Sequence, residues 1–518
     1  MLKKILSVSG WTLISRITGF ARDLVLAAML GAGMLMDVLS VANRLPNHFR
    51  AIFAEGAFNA AFIPAYARVL MGQNVDAARR FAGMIGIIFV LMLLLLTIVA
   101  VIFMPVLVSW LAPGFVQRPE TFALAVSLTR ITFPYLMFVS LVTLISAVLN
   151  SHERFVAAAA APVLLNLSII AALLIVGFLP THGSSDHNML AYGAAWGVTI
   201  AGILELILVI AAAARARILP KSVFPELNTD VRGFFKTLAP ATLGSMGTQV
   251  AMFMDTILVT FLAVGGASAL YYADRLYQLP LGVIGIAVGT VVLPHMSRLL
   301  ANGDEQGARR AQNRAMSFAL VLAMPCVVIC VLTPQLLFEA LFMRGAFDLK
   351  AAQSAASVLS AYAVGLPAVV IIRSIVASFY ARQDTTRPVI ASLIAIGVNV
   401  ALKLALMPSY GAAGLAFSTA IGAWVNVIIL YMWGLKRGWI RPDKNLLKDL
   451  SFALVSAVAM AGVVLQTVSV FAPWILHKLP ILLSLFSPSF VTLCIAGCAG
   501  MSVYGSIFLV LRKYTQRT

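Results

Sequence analysis

The chain has 518 residues, 61% of them hydrophobic and only 11% charged. A water-soluble domain of that length needs far more polar surface, and no hydrophilic stretch here is long enough to fold as a separate soluble domain. The formal net charge of +18 would suit a nucleic-acid binder, but its distribution along the chain argues against nucleic acid as a partner.

Apolar runs of at least the roughly 18 residues that mark a membrane span recur from end to end. They predict an all-α integral membrane protein of about fourteen transmembrane helices. The first expected span is 5–30, behind Met1-Leu-Lys-Lys. That opening resembles a signal peptide, but Arg16, Arg22 and Asp23 interrupt the run and no small-residue cleavage site follows, so a retained helix is expected. Further spans are expected at 36–66, 81–110, 122–150, 157–180, 190–214, 237–263, 268–297, 315–335, 353–381, 388–408, 411–435, 450–471 and 487–511. The segments between them alternate in charge, with 25 Lys and Arg on one side and only Arg118, Arg344, Lys350 and Lys478 on the other. By the positive-inside rule this places both termini in the cytoplasm, where the surplus charge also meets anionic membrane lipids.

The linker from Arg215 to Lys236 divides the chain after six spans, and a repeat lies across it. Ala42-Asn-Arg44-Leu matches Ala273-Asp-Arg275-Leu, Pro134 matches Pro367, and Tyr192-Gly-Ala-Ala recurs as Tyr410-Gly-Ala-Ala. An even number of spans per copy gives parallel repeats, the plan of an alternating-access transporter. The expected parts are an N-lobe over 1–218, a C-lobe over 233–437 and an accessory helix pair over 448–512.

Ionisable residues inside the expected spans mark the function, since each costs about 2.5–3.5 kcal/mol at a helix centre and lines a cavity or pairs. The basic ones include Arg16, Arg22, Arg44, Arg50, Arg275 and Lys403, and the acids are Asp23, Asp37, Glu55, Glu205, Asp255 and Asp274. Four arginines fall in the first two spans, with Gly19 expected to bend the first helix so that Arg16 and Arg22 reach one cavity. Internal salt bridges to Asp23, Asp37 and Glu55 are the plainer reading. The surplus of arginine over nearby acid favours an anion, and the guanidinium fork suits phosphate. Asp255 and Lys403 form a charge pair, or Asp255 couples an ion; the sequence leaves both open. His48, beside Arg50, is a phosphate or proton group or simply a polar cavity residue.

Cys326/Cys330 and Cys494/Cys498, each a helical turn apart, read as small packing residues rather than a metal pair. No Walker loop, no His-x-x-x-His and no Gly-x-Ser-x-Gly is present, so neither a cofactor nor an enzymatic activity is expected.

Ser15-Arg-Ile-Thr-Gly-Phe-Ala-Arg-Asp23, Arg44-Leu-Pro-Asn47, Arg50-Ala-Ile-Phe-Ala-Glu-Gly-Ala-Phe58 and Tyr271-Tyr-Ala-Asp-Arg275 resemble the MviN/MurJ family of lipid II flippases over essentially the whole chain. The resemblance implies the multidrug/oligosaccharidyl-lipid/polysaccharide exporter fold. It also implies transfer of undecaprenyl-diphosphate-linked peptidoglycan precursor across a bacterial inner membrane. Carried over residue by residue, it makes Arg16, Arg22, Arg50 and Arg275 the cavity cations, with Asp23, Asp37, Glu55 and Asp274 as supporting acids. Many relatives have two arginines where this chain has Arg50-Ala51, so Arg44 is a candidate for the second role. The last two spans are expected to hold the lipid tail, and cell-wall synthesis proteins are candidate partners. The alternatives are a flippase for another polyprenyl-diphosphate oligosaccharide, and a cation-coupled drug antiporter, whose cavity acids rather than arginines would dominate.

Overall fold

The computed structural model describes residues 2–53, 56–178, 187–226, 228–471 and 487–517, and every regular element among them is helical. The chain packs as two compact units, Met1–Ala267 and Ser268–Thr518. Nine helical segments among the described residues are long and apolar enough to cross a membrane by length and composition alone. The second helix is not among them, because Asp37, Arg44 and Arg50 all lie within its 20 residues.

In the first unit, α1 is Leu2–Leu30, α2 Met34–Phe53 and α3 Gly56–Gly72. They are followed by α4 (Val75–Ile102), α5 (Met104–Leu111), α6 (Pro113–Val116), α7 (Pro119–Thr132) and α8 (Tyr135–Ser151). The unit is completed by α9 (Val156–Phe178), α10 (His187–Arg215) and α11 (Thr229–Thr260). The packing boundary at 267/268 falls one helix later than the repeat boundary, because α11 lies along α2 and α3.

An aromatic ladder explains that placement. Phe58, Phe62 and Tyr66 repeat every four residues, so they share one face of α3. Phe62 stacks on Phe58 at 5.2 Å and on Tyr66 at 5.6 Å, while Phe234 of α11 meets Phe58 edge-on at 5.8 Å. Phe58, Phe62, Tyr66 and Phe234 are all buried, and such aromatic contacts add about 0.5–1.5 kcal/mol each beyond area.

The second unit begins in α12 (Gly266–Ala301) and continues through α13 (Glu305–Leu332), α14 (Pro334–Leu341), α15 (Leu349–Ala363) and α16 (Leu366–Tyr380). Then come α17 (Thr386–Lys436), α18 (Lys444–Gln466) and α19 (Pro488–Arg517). At 51 residues α17 is far longer than a bilayer is thick, and Gly411 (φ 52°, ψ −130°) kinks it into two helices. That kink falls on the first residue of the expected span 411–435. The repeat also survives in the interruptions, since α7 gives way to α8 at Phe133-Pro134 and α15 to α16 just before Pro367.

Side-chain caps set several starts. Asn74, Asn228, Asp304, Asp348 and Asp443 each accept from a backbone N–H three residues on, at 2.7–2.9 Å, opening α4, α11, α13, α15 and α18. The C-terminal pair is anchored on α13: Met460 and Tyr504 pack on Val321 and Met324, and the Tyr504 hydroxyl donates to Val321 O at 2.7 Å.

Candidate functional site

Within the first unit the buried charges gather where α1, α2, α8, α9, α10 and α11 meet. Arg22 of α1 forms a close pair with Asp23: Nη2 lies 2.7 Å and Nε 3.1 Å from Asp23 Oδ1. The pair is largely dry, with side chains 14% and 4% exposed. Arg22 Nη1 donates to Asn166 Oδ1 of α9 at 3.0 Å. Asn166 Nδ2 in turn donates to Ser15 O at 3.0 Å and to Thr18 Oγ1 at 3.1 Å. One α9 amide therefore ties the guanidinium to the helix that bears it.

α1 is assigned as one helix from Leu2 to Leu30, with Gly19 inside it. Gly19 faces Asn166, and a Cβ there would stand 3.4 Å from Nδ2. Asp23 pairs with its neighbour Arg22 rather than reaching back to Arg16, which is exposed.

Arg50 lies in the last turn of α2, its Nε donating to Asn47 Oδ1 at 3.2 Å. It acts electrostatically on Glu205, a buried carboxyl of α10 that shares a side-chain hydrogen bond with Tyr135 of α8. Both Arg50 and Arg22 also act electrostatically on Tyr135. Pro46 helps to shape this end of α2. Proline has no N–H for the carbonyl four residues back, and the Thr132 hydroxyl donates to that carbonyl, Ala42 O, at 3.1 Å.

His48 sits one turn from Arg44, and its Nε2 is 2.9 Å from Thr256 Oγ1 of α11. Phe253 tilts against the imidazole at 4.6 Å, and Arg44 and Asp255 both act on it electrostatically. A small cavity opens beside it between Val41, Leu45, Val108 and Leu111.

Asp37 has a different place. It is buried, and its Oδ2 accepts from Gly265 N at 2.6 Å, fastening the turn after α11 to the start of α2. Gly265 is left-handed (φ +89°), and a Cβ there would be 2.8 Å from Ala32 O, so this close approach requires glycine. Glu55 lies outside the described residues.

In the second unit the Arg275 guanidinium lies over the Tyr271 ring at 4.7 Å, and Asp274 accepts from Gln278 Nε2. Lys403 is buried in α17, and Asp255 lies in α11 of the first unit.

Asn166 was missed in the sequence, because its partner lies 144 residues away and nothing local marks it. Glu205 was visible as a charge in an apolar run, but its link to Tyr135 and Arg50 needed the fold.

A family model described as lipid II flippase MurJ matches residues 26–485. A probable lipid II flippase MurJ of Rhizobium meliloti is 37% identical over 98% of this chain and 93% of its own length. The Rhizobium tropici relative, also a probable lipid II flippase MurJ, is 39% identical over 90% of this chain and 86% of its own. Among solved structures, a lipid II flippase MurJ in an inward closed conformation superposes with TM-score 0.78 at 24% identity, covering 98% of both chains. An inward-facing MATE-family multidrug transporter gives TM-score 0.66 at 14% identity over 83% of this chain and 97% of its own. These two likenesses establish the shared transporter fold.

Proposed function

The chain belongs to the lipid II flippase MurJ family, and from that premise we propose that it carries lipid II from the cytoplasmic to the periplasmic leaflet by alternating access. The moving parts in this reading are the repeat-based lobes 1–218 and 233–437, with 448–512 holding the polyprenyl tail. The membrane is the bacterial inner membrane, with both termini cytoplasmic, as the charge alternation supports.

The observation that carries the proposal is that Arg22, held in a largely dry pair with Asp23 and by Asn166, and Arg50 both act electrostatically on Tyr135. A diphosphate offers several acceptor oxygens, and two guanidinium forks engage it through charge-assisted bonds. Asp23 and Glu205 hold the forks in place between cycles, and the arriving anion takes over part of that pairing. Arg16 and Arg44 add positive potential around the cavity, and Arg275 serves the same anion at a later stage. The inside-negative potential assists outward movement of negative charge by about 2.3 kcal/mol per net charge per 100 mV.

Arg22→Ala and Arg50→Ala test this. Each is expected to reach the membrane at wild-type abundance and fail to support growth when the wild-type copy is depleted. Full growth with both variants would remove the anion-clamp reading.

A further inference from the structure

A second arginine cluster stands apart from the one assigned to transport. It lies in the second unit, where the α17–α18 turn meets the first turns of α13 and the end of α16. Gly438 ends α17 in the left-handed region (φ +69°). Its missing side chain leaves a space: a Cβ there would be 3.5 Å from Arg441 Nη2 and 3.8 Å from Arg309 Nη2. Two guanidinium tips thus lie close to one glycine, an approach of like charges that a bound anion would relieve.

The frame around them is fixed. Asn313 Nδ2 donates to Arg441 O at 2.8 Å, and Ile440 is buried beneath the turn. Arg382, with only 8% of its side chain exposed, donates to Ser378 O at 2.9 Å and pairs with Glu305 at 2.6 Å. It faces the Trp439 ring at 5.3 Å, and Arg437 faces the same ring at 5.0 Å.

The acids at this end are otherwise engaged. Glu305 pairs with Arg382 and Asp384 with Arg387, while Asp304 and Asp443 cap α13 and α18. Asp384 feels Arg437 electrostatically, but among the described residues no carboxylate comes within ion-pair distance of Arg309, Arg437 or Arg441. The Nε atoms of Arg309 and Arg382 are buried with no hydrogen-bond partner, an unusual state for strong donors.

We propose that Arg309, Arg437 and Arg441 form a phosphate-binding site over Gly438, with Trp439 and Arg382 as its fixed wall. The ligand is a phosphate mono- or diester, which matches planar forks arriving from several directions. Two sources supply that chemistry: an anionic lipid headgroup at the membrane surface, or a soluble phosphate. The site uses none of the residues assigned to transport, so its test is independent of the flippase reading.

The test is calorimetric titration of the purified full chain in neutral detergent with two probes, dihexanoyl phosphatidylglycerol and inorganic phosphate. Arg309→Gln/Arg441→Gln is expected to weaken binding by about tenfold or more and Arg441→Gln alone by about threefold, the effect of losing charge-assisted bonds. Binding of the lipid probe alone identifies a headgroup, and binding of inorganic phosphate identifies a soluble anion. No binding of either probe to the wild type overturns the proposal, as does equal binding in the variants. If the double variant fails to fold, Arg441→Gln decides, since Arg441 is exposed at the surface; unchanged affinity there counts against the site.

Discussion

Replacing Asn166 with alanine isolates the contact that fixes Arg22. The change removes three hydrogen bonds, and they are unequal. Thr18 Oγ1 keeps its bonds to Ile14 O at 2.9 Å and Ser15 O at 3.1 Å, so losing Asn166 costs it little. Ser15 O is likewise a helix carbonyl with its own ladder partner. The bond from Arg22 Nη1 is charge-assisted and buried, and its loss is worth about 1.5–3 kcal/mol. Adding the small void left by the amide gives an expected destabilisation of about 2–4 kcal/mol. Circular dichroism of thermal and denaturant unfolding in detergent reads that value, and complementation of a depleted strain reads transport. Asn166→Asp keeps an acceptor for Arg22 and is expected to recover more transport than Asn166→Leu, which keeps none. Stability within about 0.5 kcal/mol of wild type, together with normal complementation by Asn166→Ala, would refute the idea that this amide positions Arg22.

Three further outcomes follow from the same geometry. Gly19→Ala meets only an ordinary contact at 3.4 Å, so it is expected to be neutral or to stabilise α1 by up to about 1 kcal/mol; loss of function would contradict that and point to a bending role for Gly19. Gly83→Ala places a Cβ 1.7 Å from Lys221 O, where Lys221 N donates to Arg79 O at 3.0 Å and Arg79 Nε to Leu219 O at 2.8 Å. That substitution is expected to lift the linker off α4, seen as faster tryptic cleavage after Arg217 and Lys221, and an unchanged digestion pattern would contradict it. Burial, reinforced by Arg154, lowers the pKa of His152 below its ordinary 6.5, and its neutral ring shares a 3.0 Å hydrogen bond with Tyr66. The unfolded chain therefore binds the extra proton first, so stability is full above about pH 6.5 and falls as pH drops below it; His152→Gln should flatten that slope.

The helices were legible because apolar runs act locally. Pro134 and Pro367 matched each other as repeat positions, while the helix interruptions beside them, inside the expected spans 122–150 and 353–381, appear only in the structure. The chemistry of single charges was legible only as cost: Arg22, Arg50 and Glu205 stood out in apolar runs, but their partners are set by helix packing across long separations. Asp37 shows the limit, since nothing around it in the chain announces a hydrogen bond to Gly265, 228 residues away. The same holds for α11, which the repeat assigns to the C-lobe and whose Phe234 packs on the α3 ladder.

The measurement closest to the central claim is the leaflet position of labelled lipid II after this protein is depleted from cells lacking any other flippase. Transport by this chain predicts that the precursor accumulates in the cytoplasmic leaflet, and that re-expression of the wild type, but not of Arg22→Ala or Arg50→Ala, restores its appearance outside. Continued arrival of lipid II in the periplasmic leaflet without the protein would contradict it.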